Sequence, residues 1–193
     1  MTCADGESSR HLAIQATTTC LVSAAFVEER VFDCIAYDAR TSTLEAFETR
    51  SRAYRNAAKK WTRKLVRLLT KDFEERGVPR LAEAVSAAGG AGGSGGGAIL
   101  DEFSQILGDF AASARELRTK LSRDVFRTVW TSCASSMSTL LFNRAALGVA
   151  HDEEAVETFR NVASLCSSAI GEYTNRPRSY FKIPMEADEG LPS

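Results

Sequence analysis

The chain has 193 residues, of which 44% are hydrophobic, and 24 basic against 25 acidic side chains leave a formal charge of -1. That is enough apolar material for one domain with a real core, and the balanced charge gives the whole molecule no long-range pull toward nucleic acid or anionic lipid. Five cysteines (Cys3, Cys20, Cys34, Cys133, Cys166) are odd in number, far apart and without a C-x-x-C pair, so they read as reduced cytosolic thiols rather than a disulfide framework or a zinc site. The opening Met1-Thr2-Cys3-Ala4-Asp5 lacks the basic and apolar regions of a signal peptide, and no apolar run approaches the ~20 residues of a membrane span. Any membrane contact is expected to be peripheral.

Residues 1–10 are expected to be a disordered tail. Leu12, Ile14, Leu21, Val22, Phe26, Val31, Phe32 and Ile35 follow with a mixed period, and Thr17, Thr18 and Thr19 leave the first part of this stretch open between helix and strand. Its second half reads as helix. Ser42 with Glu45 is a capping-box pattern, after which Leu44, Phe47, Tyr54, Trp61, Leu65, Leu68, Leu69 and Phe73 recur mostly at three- and four-residue spacing. One amphipathic helix is expected from Ser42 to about Arg76, ended by Gly77 and Pro79, and at ~1.5 Å per residue it makes a rod of about 50 Å.

Residues 87–98 are dominated by glycine and are expected to be a flexible inter-helix loop. A phosphate-binding loop would need Gly-Lys-Ser/Thr entering a helix, and Ala98-Ile99-Leu100 stands there instead. A helical stripe follows in Ile99, Phe103, Ile106, Leu107, Phe110, Ala114, Leu117 and Leu121, and Ser122 reads as the cap of the next. That next stripe is Val125, Phe126, Val129, Trp130, Cys133, Met137, Leu140 and Leu141. Gly148 and the acidic run Asp152-Glu153-Glu154 mark a break and a new helix, carrying Val156, Phe159, Val162, Ala163, Cys166, Ile170 and Tyr173 and stopped by Asn175-Arg176-Pro177. Residues 184–193 are expected to be a flexible tail.

Chemistry has little to work with. The two histidines, His11 and His151, offer little for acid–base catalysis, and Cys133, which could pair with His151 as nucleophile and base, lies on an apolar stripe where a buried, inert thiol is the usual occupant. Carboxylate pairs such as Glu74-Glu75 and Asp101-Glu102 sit at helix ends, where dipole compensation accounts for them. No catalytic residue, cofactor or metal is expected, and no small-molecule substrate. One charge feature stands out: Arg52, Arg55, Lys59, Lys60, Arg63, Lys64 and Arg67, with Arg50 and Lys71 beside them, all fall on one helix. They flank its apolar stripe, so they form either a solvated face whose stems shield the core or a dock for an acidic partner helix or an anionic lipid surface. Nucleic acid is disfavoured, because few exposed aromatics are interleaved with the basic residues.

The second half carries a resemblance. Leu121-Ser122-Arg123-Asp124-Val125-Phe126-Arg127-Thr128-Val129-Trp130, with Leu140-Leu141-Phe142-Asn143 at the corresponding helix end, resembles the C-terminal region of the RINT/TIP family of vesicle-tethering subunits. Phe159-Arg160-Asn161-Val162 and then Arg176-Pro177-Arg178-Ser179-Tyr180-Phe181-Lys182 are similar to that family's next helix and its arginine-proline and tyrosine-phenylalanine-lysine signature. Order and spacing agree over about 60 residues, while the N-terminal third shows no comparable match and the glycine tract departs from the pattern.

The resemblance implies an all-helical scaffold of the CATCHR class without enzymatic activity, a subunit of the Dsl/NRZ complex in Golgi-to-endoplasmic-reticulum retrograde transport. It further implies a cytoplasmic protein, peripheral at the endoplasmic reticulum membrane, with other tethering subunits and membrane-fusion (SNARE) proteins as partners. Family members are far longer, so residues 1–193 would be a single helical domain forming the C-terminal part of a larger tether. Phe126, Trp130, Phe159, Arg176, Pro177, Tyr180 and Phe181 would be its structural motif positions. The expected fold is all-α, an elongated antiparallel bundle of about five to six helices with a glycine-rich inter-helix loop. The alternative function is a regulatory or peripheral membrane-binding module using the basic helix 50–71, in weak contact with an anionic surface.

Overall fold

The computed structural model describes residues 3–37, 44–87, 96–144 and 153–174, and among these every regular element is helical. Six α-helices follow one another: α1 (Cys3–Tyr37), α2 (Leu44–Leu69), α3 (Val78–Ala87), α4 (Gly96–Lys120), α5 (Arg123–Arg144) and α6 (Glu153–Gly171), with a π-helical turn at Phe73–Gly77 between α2 and α3. The all-α reading of the apolar stripes is correct.

The threonine run is helical. Thr18 and Thr19 donate their hydroxyls to the carbonyls of Ile14 and Gln15 four residues back, at 2.8 and 3.0 Å, so the polar group of each β-branched side chain finds a partner within the helix itself. The expected tail at 1–10 is instead helical from Cys3. Its distal part is held by Arg10, whose guanidinium donates to the Leu68 carbonyl at 3.2 Å, one of the last carbonyls of α2 and thus without an intrahelical acceptor role.

The single helix expected over 42–76 is broken. α2 ends at Leu69, the chain bends at Thr70, and the π turn then intervenes. The Val78 N–H donates to the Phe73 carbonyl five residues back, which widens the turn. Phe73 thereby lies edge-on to Phe103, with ring centroids 5.7 Å apart. A Cβ at Gly77 would stand 3.2 Å from the same Phe103 ring, a tight contact that glycine avoids. Pro79 does not end a helix as expected. It is the second residue of α3, which continues from the π turn without a break, so the chain stays helical on both sides of it.

The glycine-rich loop is shorter than the expected 87–98, since Ala87 closes α3 and Gly96, Gly97 and Ala98 open α4. Helix propagates backward from the Ile99–Phe103 stripe because each added turn costs less than nucleation. The remaining loop residues lie outside the described ones, as do residues 175–193, which hold the expected tail and the Arg176–Phe181 segment. Ser122 opens α5 as expected, its carbonyl accepting the Phe126 N–H at 2.9 Å. The acidic run opens α6 at Glu153, but that helix closes at Gly171, two residues before Tyr173.

The chain divides into two compact units, Met1–Leu68 with Glu116–Val129, and Leu69–Arg115 with Trp130–Ser193. In the first, Arg10 meets the end of α2 and Glu28 meets Arg55 at 3.0 Å, so α1 runs antiparallel to α2. Ile14, Leu21 and Ala24 of α1, Leu65 of α2, and Leu117, Leu121, Phe126 and Val129 make its buried core. In the second, α3 packs on the π turn and on α6, and the core is built from Phe73, Leu81, Phe103, Trp130, Met137, Leu141 and Ile170, each worth about 1.5–3 kcal/mol on burial.

Candidate interaction surface on the second helix

Successive α-helical residues turn by about 100°, so the sequence of α2 sets which side chains share a face. Taking Arg52 as the origin, Arg55, Lys59, Arg63, Arg67, Lys60 and Lys64 fall within an arc of about 180°, while Trp61, Leu65, Leu68 and Leu69 cluster on the opposite side. Burial follows that division. Leu65 and Leu69 are buried, Trp61 and Leu68 half-buried, and all seven cations are exposed. The seven residues singled out in the sequence are therefore brought together on one surface.

Two of them have partners. Arg55 donates from Nε to Oε1 of Glu28 on α1 at 3.0 Å, and Lys64 Nζ lies 5.0 Å from the centroid of the Trp61 ring. Arg52, Lys59, Lys60, Arg63 and Arg67 form no ion pair among the described residues. Arg67 also lies in the last turn of α2, where a cation favours the helix dipole.

Three of the motif positions implied by the resemblance are described. Phe126, Trp130 and Phe159 are all buried, the first in one unit and the other two in the second. The Trp130 ring stacks on Phe110 at 4.9 Å and meets Tyr173 edge-on at 5.1 Å. Arg176, Pro177, Tyr180 and Phe181 lie outside the described residues, as does His151. No family model, curated protein or solved structure matches this chain.

Two of the thiols are withdrawn from reach. Cys133 and Cys166 have no exposed surface, and burial pushes both thiols far above their ordinary range, so neither supplies a thiolate near neutral pH. Among the described residues no cluster of His, Cys, Asp or Glu could hold a metal ion, and no helix is long and apolar enough to cross a membrane. At the end of α4, the side-chain hydrogen bond from Lys120 holds the Glu116 carboxyl below its usual range.

Sequence reasoning missed a second surface. Leu12, Val22 and Phe26 of α1 are exposed, Phe26 lies under the Arg30 guanidinium at 5.3 Å, and beside Val22 a depression of 440 Å³ is lined by Gln15, Thr18, Thr19, Ser23 and Lys120. The mixed apolar period over residues 12–37 is the signal that could have found it, since a helix apolar on two opposite sides shows no single stripe.

Proposed function

We propose that this chain is a non-enzymatic helical scaffold that acts by presenting surfaces to other proteins, as a subunit of a vesicle-tethering complex in Golgi-to-endoplasmic-reticulum retrograde transport. One observation carries the scaffold reading: seven cations share an exposed arc of α2, whereas the two described buried thiols are shut away from any substrate. The surface is equipped for contact rather than for bond-making. The tethering assignment, with its cytoplasmic, membrane-peripheral location and its SNARE and tether partners, is supported by the resemblance at Leu121–Trp130, Phe159–Val162 and Arg176–Lys182 alone.

Affinity purification of the tagged full chain from a eukaryotic lysate, followed by mass spectrometry, tests it. Recovery of tethering subunits in stoichiometric amounts is the expected result. A reproducible set of partners with no tethering or fusion protein among them ends the tethering assignment, and a stable enzyme–substrate turnover by the purified chain ends the scaffold reading. The alternative, a peripheral membrane module, draws on the same arc and predicts sedimentation of the chain with anionic vesicles at low salt, where attraction is strongest.

A further inference from the structure

We infer that the basic arc of α2 is the seat for an acidic helix of a partner protein, an inference that rests on the scaffold reading and names the kind of partner this surface takes. Arg52, Lys59 and Arg63 lie within about 20° of one line along the helix, with Arg55 and Arg67 flanking it, so the cations form a ridge rather than a ring. From Arg52 to Arg67 the ridge extends about 22 Å at ~1.5 Å per residue, four turns of a facing helix. A partner helix with carboxylates at three- and four-residue spacing presents a matching row.

Helix-to-helix pairing on this ridge is already realised at one flank. Glu28 projects from α1, which packs antiparallel to α2, and its carboxylate meets Arg55 at 3.0 Å. The cations farther along, Lys59, Arg63 and Arg67, are exposed and form no ion pair among the described residues. Four of the seven cations are arginines, whose planar fork binds a carboxylate in two places at once.

A bilayer fits less well. A membrane-surface helix inserts its apolar face while its cations meet the headgroups, but Leu65 and Leu69 of α2 are buried within the chain's own core. The exposed apolar residues Leu12, Val22 and Phe26 belong to α1 and lie there opposite the side that carries Arg10 and Glu28 toward α2, while Tyr54 of α2 is turned away from the ridge. The ridge therefore has charge without an apolar anchor beside it. Nucleic acid lacks its stacking platform too, because Trp61 is half-buried under Lys64, and exposed Tyr54 lies about 160° around the helix from Arg52, away from the ridge.

The test titrates the full chain into a labelled synthetic helical peptide with glutamates on one face at three- and four-residue spacing. A control peptide has the same composition with its glutamates spread around the helix, and phosphatidylserine vesicles and a random-sequence DNA duplex are titrated alongside. The patterned peptide is expected to bind best, with an affinity that falls as salt rises. The triple variant Lys59→Glu, Arg63→Glu, Arg67→Glu should weaken it at least about tenfold, while Arg115→Glu with Arg127→Glu leaves it unchanged. Should the reversed variant lose its helical circular dichroism, the neutral variant Lys59→Gln, Arg63→Gln, Arg67→Gln is read instead, with a loss in the same direction expected. Equal binding of the two peptides, tighter binding of vesicles or DNA, or no binding overturns the inference. None of these results changes which proteins co-purify from a lysate, so the scaffold reading stands or falls separately.

Discussion

The indole Nε1–H of Trp130 donates to the main-chain carbonyl of Ile170 at 3.1 Å, which ties α5 to the end of α6 across 40 residues of sequence. The same carbonyl accepts the Tyr173 N–H at 3.3 Å, so one of the last carbonyls of α6 is satisfied from both sides. Trp130→Phe keeps most of the ring and loses this donor, and it should cost about 1–2 kcal/mol in denaturant unfolding. Trp130→Ala also empties the site between Phe110 and Tyr173 and should cost about 3–5 kcal/mol. Equal losses for the two variants would show that the hydrogen bond and the ring do not act separately.

Two glycines should respond with opposite sign. Gly108 lies on the exposed side of α4 with open space around it, so Gly108→Ala should stabilise by about 0.5–1 kcal/mol through helix propensity. At Gly77 the added methyl meets the Phe103 ring at 3.2 Å, and that ring is fully buried against Phe73, so Gly77→Ala should destabilise by about 1–3 kcal/mol. Thermal unfolding of both variants reads the sign. A stabilised Gly77→Ala would mean that the π turn relaxes freely into an α-helix.

Ser51 is buried on α2 and its hydroxyl finds no hydrogen-bond partner among the described residues. Replacing it with alanine removes the unpaired polar group and favours the helix, so Ser51→Ala should raise stability by about 1 kcal/mol. A loss of comparable size in urea unfolding would reveal an acceptor for the hydroxyl.

The buried thiols set a pH dependence. Burial raises the folded-state pKa of Cys133 and Cys166, so folding favours their protonated forms. Their contribution is fully present below the unfolded thiol pKa of about 8.5 and is lost as pH rises above it, because only the unfolded state then releases the protons. Stability should fall by about 1.4 kcal/mol per pH unit for each thiol above that point, and the double variant Cys133→Ala, Cys166→Ala should show a shallower fall. In the native protein, iodoacetamide should modify half-buried Cys20 well before either of them, as peptide mass spectrometry would show. Early modification of Cys133 would contradict its burial.

The Glu28–Arg55 pair should contribute little to stability. Both side chains are partly exposed, Arg55 at 47%, so the double-mutant coupling energy should stay below about 1 kcal/mol and shrink in 1 M salt. A larger coupling would make α1 and α2 depend on this contact rather than on Ile14, Leu21 and Leu65.

Helical character was legible wherever one apolar stripe ran unbroken, as in Phe103–Leu117 of α4, Phe126–Leu141 of α5 and Phe159–Ile170 of α6. Periodicity there is a local property, and so are the cap at Ser122 and the acidic start at Glu153. The cationic arc of α2 was legible for the same reason, since a 3.6-residue repeat fixes which side chains share a face once the helix is granted. Tertiary contacts decided the rest. Local preference left Thr17–Thr19 open, yet they are helical, with Thr17 and Thr18 buried and the Thr18 hydroxyl bonded to the Ile14 carbonyl. The stripe continued past Leu69, but the fit of Phe73 and Gly77 against Phe103 bent the chain at Thr70 and opened a π turn. Leu21 and Phe26 are equally apolar in sequence, yet Leu21 is buried and Phe26 is 56% exposed, because burial depends on which element arrives opposite a side chain and not on the side chain itself.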